Sequence, residues 1–160
     1  MVTHRVSVFI LAFALSASAP ALAEETFFAD LSGDQEVPSV VTTPTSGKFH
    51  IQFSKDYTEA EFTLRVDDGT QLFMAHLHCA AAGVNGPVVV WLAGQHPSPG
   101  GWNVDGKWIG NTILNSSNIV NTTCGANLAE LAAAMRAGHV YVNVHSRTNP
   151  SGEVRGQIVP

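Results

Sequence analysis

The chain has 160 residues, of which 45% are hydrophobic and 13% are charged, and its 8 Lys and Arg against 13 Asp and Glu give a formal net charge of −5. This length and composition suffice for one domain with one apolar core. The sequence contains no basic block, which excludes the usual signature of proteins that bind nucleic acid or an anionic membrane surface.

Residues 1–23 predict a signal peptide. Arg5 precedes an apolar run that begins at Val6, and small residues follow as far as Ala21-Leu22-Ala23. A basic start, a short apolar run and an A-x-A-like site are the features of a secretory signal. The run is shorter than the roughly 20 residues that a spanning helix needs. We therefore expect cleavage after Ala23, a domain over residues 24–160 with no transmembrane segment, and a periplasmic or extracellular location.

Alternating apolar and polar residues predict β-strands through the first half of this domain. One strand is expected over residues 26–31. A hairpin follows, with a turn at 54–58 and with inward-facing Phe49, Ile51, Phe53, Phe62, Leu64 and Val66. The stretch DDGTQ, residues 67–71, predicts a turn. Strands over 72–78 and 88–92 come next, separated by the turn GVNGP, and the continuous apolar run VVVWL is typical of a strand buried on both faces.

The second half predicts one helix and two further strands. Residues 93–118 are rich in Gly, Pro, Asn and Ser, which indicates a long irregular excursion with one short strand near Trp108-Ile109. A helix is expected over 127–137, capped by Asn127 and ended by Gly138, with Leu128, Leu131 and Met135 on one face. The strands HVYVNVHS and GEVRGQIV follow, joined by the turn RTNPSG. This order predicts an all-β fold, an antiparallel Greek-key-like sandwich or barrel with one short inserted helix.

The two cysteines of the chain, Cys79 and Cys124, both fall in the expected mature domain. An even number of cysteines in an exported protein predicts a disulfide. In the chain-entropy view, closing a loop of this length stabilises the fold by about 3–4 kcal/mol.

The stretch FMAHLHC, residues 73–79, contains two histidines two residues apart. In a β-strand His76 and His78 point to the same face, together with Leu72 and Met74, and the pattern does not decide which face is core. On the strand HVYVNVHS, Val140, Val142 and Val144 form an apolar face, and His139, Tyr141, Asn143 and His145 lie on the other.

Imidazoles from two strands are a common way to hold copper, zinc, iron or nickel, so His76, His78 and His145 are the candidate metal ligands. The alternative is that they are partly buried histidines bonded to backbone carbonyls. Because a ligating histidine must be neutral, we expect metal affinity to fall below about pH 6.5. His50 is expected to face outward, His96 is a weak candidate for a fourth ligand, and the role of His139 is left open.

Asn143 and Tyr141 share the strand face of His145 and are candidates for supporting the site. The amide oxygen of Asn143 could accept a hydrogen bond from a site histidine and so fix its tautomer. Alternatively, its amide could bond a loop backbone and brace the edge of the sheet. The second reading is favoured because asparagine is a poor strand former.

Three stretches together resemble the CHRD domain, a family named after chordin and found in bacterial exported proteins. They are FFADLSGDQEVPSV, AHLHCAAAGVNGPVVVWL and AGHVYVNVHSRTNPSGEVRGQI, and they span residues 27–158. The resemblance implies an all-β domain in an exported setting and says little about an activity.

The His-x-His pattern also resembles that of the Cu,Zn superoxide dismutases. This resemblance implies that His76, His78 and His145 fill three copper positions, with a disulfide beside them. No set of His and Asp for a zinc subsite is present, so the resemblance implies at most a site for copper alone. Arg155 or Arg147 could approach an anionic substrate, although we expect Arg155 to pair with a carboxylate on the sheet.

Three functions are therefore open at this stage. The first is an exported copper-binding protein, the second is a structural or interaction domain that binds another exported protein without a metal, and the third is a copper-dependent dismutase-like enzyme. No nucleophile elbow, phosphate loop or dinucleotide fingerprint is present in the sequence.

Overall fold

The computed structural model describes residues 24–38 and 41–160, so the predicted signal peptide at residues 1–23 lies outside the described residues. Seven strands and one α-helix follow one another: β1 (Glu25–Leu31), β2 (Ser46–Phe53), β3 (Ala60–Cys79), β4 (Val88–Ala93), β5 (Trp102–Leu114), α1 (Leu128–Arg136), β6 (Val140–Ser146) and β7 (Val154–Gln157). Three single 3-10 turns lie at Gly33–Gln35, Ser116–Asn118 and Thr122–Cys124.

The strands form one antiparallel sheet that curls into a nearly closed barrel. Its path runs β1-β2-β3-β6-β7, and β4 and β5 both pair with β3. Isolated bridges from Phe28 to Val159 and from Ser32 to Arg155 join the two ends of the path. The predicted all-β antiparallel fold with one short helix is confirmed.

Strand β3 is the longest element and it contradicts one predicted turn. Residues 67–71 were expected to form a turn, but the strand continues through them. Asp68 and Gln71 take positive φ angles of 54° and 52°, and the pairing with β5 shifts register on either side of Gly69. The chain therefore bends without losing its ladder, which is the behaviour of bulged strands.

The segment after β4 is also more regular than predicted. Trp102–Leu114 forms the 13-residue strand β5 along β3, where the sequence predicted an irregular excursion with one short strand. Positive φ angles at Gly106 and Asn111 absorb the irregular register. Most of its side chains are exposed or half-buried, so apolar alternation is weak and the strand was missed.

The core lies between the curled halves of the sheet. Its largest fully buried side chains include Phe27, Phe49, Phe53, Phe62, Leu64, Leu77, Leu128 and Met135. The prediction that residues 88–92 are buried on both faces is wrong, because Trp91 is 41% exposed. On β3, Leu72, Ala75 and Leu77 all belong to the core, since the register with β6 shifts between Leu72 and Met74 and breaks the alternation.

Helix α1 and strand β6 agree with the sequence pattern. The Asn127 side chain accepts a hydrogen bond from the backbone N–H of Glu130 at 3.0 Å, and Gly138 follows the helix with a φ of 71°. Val140, Val142 and Val144 are buried in the core, and the opposite face of β6 is buried as well. Within the described ranges, no helix combines the length and apolarity needed to cross a membrane.

The disulfide between Cys79 and Cys124 is present, with the two Cα atoms 5.6 Å apart. It joins the last residue of β3 to the 3-10 turn before α1. Because Cys79 directly follows His78, the bridge fixes the end of β3 next to the histidine pair.

Candidate metal centre

His76, His78 and His145 come together on one face of the sheet. One ligand nitrogen from each lies within 4.8 Å of the others. The register of β3 with β6 explains this meeting, because Met74 lies opposite His145, His76 opposite Asn143 and His78 opposite Tyr141. His76 is 2% and His145 is 5% exposed, so the cluster is largely withdrawn from solvent.

Two of the three rings are held by backbone carbonyls. The Nδ1 atom of His78 lies 2.9 Å from the Gly86 carbonyl oxygen, and Nδ1 of His145 lies 3.0 Å from the Pro150 carbonyl oxygen. A carbonyl oxygen can only accept, so in each ring Nδ1 carries the proton and donates. The Nε2 atom of each neutral ring then carries the lone pair.

The third ring completes the pattern. Nδ1 of His76 lies 3.1 Å from Nε2 of His145. Because that Nε2 has no proton, His76 donates through Nδ1 and its own Nε2 also carries a lone pair. Nε2 of His76 and Nε2 of His78 are both buried and have no hydrogen-bond partner among the described residues. A buried polar atom without a partner costs about 1–3 kcal/mol, and a bound ligand would remove that cost.

The electrostatics of the cluster keep the imidazoles neutral. Burial, with smaller contributions from the neighbouring His145 and His78, lowers the pKa of His76 to about 3. Burial also lowers the pKa of His145 to about 4, against the opposing bond to Pro150. The pKa of His78 is lowered by burial, raised by the Gly86 bond and lowered by the charge of Arg155. Neutral imidazole is the form that binds a metal ion.

The spacing of the three ligand nitrogens is close to what a single ion requires. Metal–nitrogen bonds are about 2.0–2.1 Å long, so two ligand nitrogens of one ion can be no more than about 4.1 Å apart. The ligand nitrogens lie within 4.8 Å of one another, so the widest pair would have to close by less than about 1 Å to bind one ion.

Tyr141 and Arg155 lie behind His78. The Tyr141 ring stacks on the His78 ring with centroids 4.8 Å apart and planes 8° from parallel, and its hydroxyl accepts a 3.3 Å hydrogen bond from the Gly86 N–H. The guanidinium carbon of Arg155 lies 3.5 Å from the Tyr141 ring centroid. Tyr141 therefore contacts a site histidine directly, while Arg155 contacts Tyr141.

The predicted pairing of Arg155 with a carboxylate is wrong. Its guanidinium donates to the side-chain oxygen of Asn85 at 2.9 Å and to the Val84 carbonyl at 2.8 Å. No ion pair of Arg155 occurs among residues 24–38 and 41–160. The loop between β3 and β4 folds over β7 and provides neutral acceptors, which the pattern of charges along the chain could not indicate.

Asn143 contacts the N-terminal segment rather than a histidine. Its amide nitrogen donates to the Glu36 carboxylate at 2.6 Å and to the Val154 carbonyl at 3.1 Å, and no hydrogen bond joins it to the three histidines in the described part of the chain. Burial raises the pKa of Glu36 to about 7, although the bond from Asn143 lowers it. Asn143 thus links β6 to the segment after β1 and to β7.

The remaining described histidines lie outside the cluster. The His50 ring packs beside Phe28 on the surface of the barrel, and His96 packs against Trp102 with ring centroids 4.4 Å apart. His139 lines a surface groove beside the disulfide.

Three contributors were missed from the sequence. The Gly86 and Pro150 carbonyls hold two of the rings, and the Trp91 ring meets the His76 ring edge-on with centroids 4.2 Å apart. Gly86 is required by close approach, because a Cβ there would overlap the Cys79 carbonyl. The turns GVNGP and TNPSG were visible in the sequence, but nothing local shows that their carbonyls reach histidines.

A family model described as the CHRD domain matches residues 27–158, nearly all of the described chain. No curated protein and no solved structure matches the chain.

Proposed function

This chain belongs to the CHRD domain family, and from that premise we propose that it is an exported protein that binds one transition-metal ion, with copper favoured, through His76, His78 and His145. The observation that carries the proposal is a pair of buried nitrogens on His76 and His78 that lack a partner in the described chain, on two of three histidines whose ligand nitrogens lie within 4.8 Å of one another. A cation that accepts these lone pairs removes the cost of leaving them unpaired.

Copper is favoured by the chemistry of the donors. Three neutral imidazoles suit copper, zinc, iron and nickel, and among divalent ions copper generally binds most tightly to such a site. Met74 lies opposite His145 in the register of β3 and β6 and is half-buried. We infer from this register that the Met74 thioether would offer a soft donor of the kind that selects copper(I).

An exported setting agrees with the disulfide. Cys79 and Cys124 are bridged, and such bonds persist in oxidising compartments such as the periplasm and the extracellular space. The predicted signal peptide at residues 1–23 supports the same location.

Metal binding without catalysis is favoured over a dismutase-like activity. The guanidinium of Arg155 is used by Asn85, Val84 and Tyr141, and Arg147 donates to the carbonyls of His96 and Ser98. Neither arginine is therefore free to attract an anionic substrate. A protein-interaction role without metal gives no reason for two unpartnered nitrogens in one buried cluster.

The test is the metal content of the protein purified from its export compartment, measured by mass spectrometry. We expect about one copper per chain in the wild type. His78→Ala, which removes a ligand whose ring is partly open to solvent, should lose most of it, whereas His50→Ala should keep it. A wild-type protein without metal that also fails to take up added copper would refute the proposal. Full loading of His78→Ala would refute the assignment of the ligands.

Dismutase activity should be measured on the same copper-loaded sample. We expect a rate no greater than that of the same amount of free copper, and a much faster rate would favour the enzyme.

A further inference from the structure

Arg155 is a buried charge with an unusual set of partners. It is 2% exposed, and its hydrogen-bond acceptors are one amide oxygen and one backbone carbonyl. Removing a charged group from water is costly unless it is paired and hydrogen-bonded. The burial of Arg155 costs free energy, and its contacts show which parts of the structure it holds in place.

One set of contacts leads to His78 through the loop at residues 80–87. Arg155 binds Asn85 and Val84, which directly precede Gly86 in the chain. The Gly86 carbonyl accepts the Nδ1 proton of His78. The guanidinium thus holds the loop whose carbonyl selects the tautomer of His78.

A second set of contacts leads to the same ring through Tyr141. The guanidinium lies over the Tyr141 ring at 3.5 Å, and Tyr141 stacks on His78 with nearly parallel planes. The Tyr141 hydroxyl also accepts from the Gly86 N–H, so both routes meet at Gly86. Cation–π contacts of this kind are stronger when they are withdrawn from water, as this one is.

We propose that Arg155 is the positioning residue of His78, acting through the 80–87 loop and through Tyr141 to fix both the tautomer and the orientation of the ring. Arg155 touches no ligand nitrogen itself, and it differs in this from an arginine that attracts substrate. The consequence for metal affinity rests on the proposed function, whereas the fixed tautomer is a property of the metal-free protein.

The experiment is side-chain nitrogen NMR of the histidines in the metal-free full protein, followed by copper titration. In the wild type, His78 and His145 should both carry their proton on Nδ1. In Arg155→Met, His78 should become a mixture of tautomers while His145, which is held by Pro150, should not change. Copper should bind about 10- to 100-fold more weakly, as when other outer supports of metal ligands are removed.

Two further variants sharpen the result. Arg155→Lys keeps a cation near Tyr141 but cannot reproduce the planar two-point contact with the loop, so it should restore part of the affinity. Arg136→Met is the matched control, because Arg136 also makes a two-point contact, with Glu25, and lies away from the site. It should leave both tautomers and the copper affinity unchanged.

Unchanged His78 protonation in Arg155→Met, with a copper dissociation constant within twofold of the wild type, would overturn the proposal. If Arg155→Met does not fold, Asn85→Ala removes one loop partner at an exposed position and should shift the His78 tautomer in the same direction. An unaltered tautomer there would also overturn it. A wild-type protein that binds no copper would end the proposed function and leave the tautomer test in place.

Discussion

Between pH 7.5 and 5, copper binding should weaken far less than it would with histidines of ordinary pKa. For a histidine with the ordinary pKa of about 6.5, the neutral fraction that can bind a metal is about thirtyfold lower at pH 5 than at pH 7.5. Two such ligands would therefore weaken binding by about 10³-fold. In the structure, the pKa of His76 is lowered to about 3 and that of His145 to about 4. At pH 5 only about one tenth of His145 is then protonated, so these two ligands cost less than about twofold. The pH range in which copper affinity falls, expected from unperturbed histidines to begin near 6.5, therefore moves to lower pH.

The assay is competition with a chromophoric chelator whose own pH dependence is measured in parallel. A synthetic peptide of residues 73–78 provides the reference for histidines with ordinary pKa values and should show the steep loss that the protein avoids. A decline of a hundredfold or more for the protein would refute the assignment of buried, neutral imidazoles as ligands.

The same shifts make folding of the metal-free protein sensitive to acid. The pKa values of His76 and His145 are lower in the folded than in the unfolded chain. The unfolded state therefore binds more protons at any pH between the folded-state pKa and the unfolded-state pKa of about 6.5. Stability is therefore fully present above about pH 6.5 and declines as the pH falls toward 4 and 3. Circular dichroism at each pH must accompany the titration, so that unfolding is not read as weak binding.

Three other outcomes are expected. Asn143→Ala should destabilise the metal-free protein by about 1–3 kcal/mol, because it strands the buried Glu36, and should leave the copper dissociation constant nearly unchanged; a stable variant with weakened copper binding would instead assign Asn143 to the support of the ligands. Met74→Leu, which conserves volume, should weaken copper(I) binding more than zinc binding, and equal effects on both ions would exclude the thioether as a donor. Thiol titration of the unfolded, unreduced protein should detect no free thiol, and two free thiols would contradict the Cys79–Cys124 bridge.

Local pattern was sufficient for the elements that bury one regular face. Phe49, Ile51 and Phe53 predicted β2 through simple alternation, and Asn127 and Gly138 predicted the ends of α1. These signals depend on residues close in sequence, whose spacing decides which face they share. The histidine pair on β3 was visible for the same reason.

The errors occurred where distant pairing overrides local preference. Asp68 and Gly69 are typical turn residues, yet the backbone around them remains paired with β5, because bulges tolerate the positive φ angles at Asp68 and Gln71. The partners of Arg155 depend on how the 80–87 loop lies over β7, and no local signal encodes that. The meeting of His145 with His76 depends on the register between β3 and β6 across 69 residues of chain.

Strand β3 couples the unfolding of the two halves of the domain. Its first part is paired with β2 and β5, and its last part with β4 and β6. No half of the barrel can open while the other half remains intact, since both halves share this one backbone. Heat should therefore melt the domain in one all-or-none step, and the amide protons in the interior of β3 should exchange with solvent only when the entire molecule unfolds. A bound ion at His76 and His78 would lie on that strand, so unfolding of the domain would release the ion in the same step.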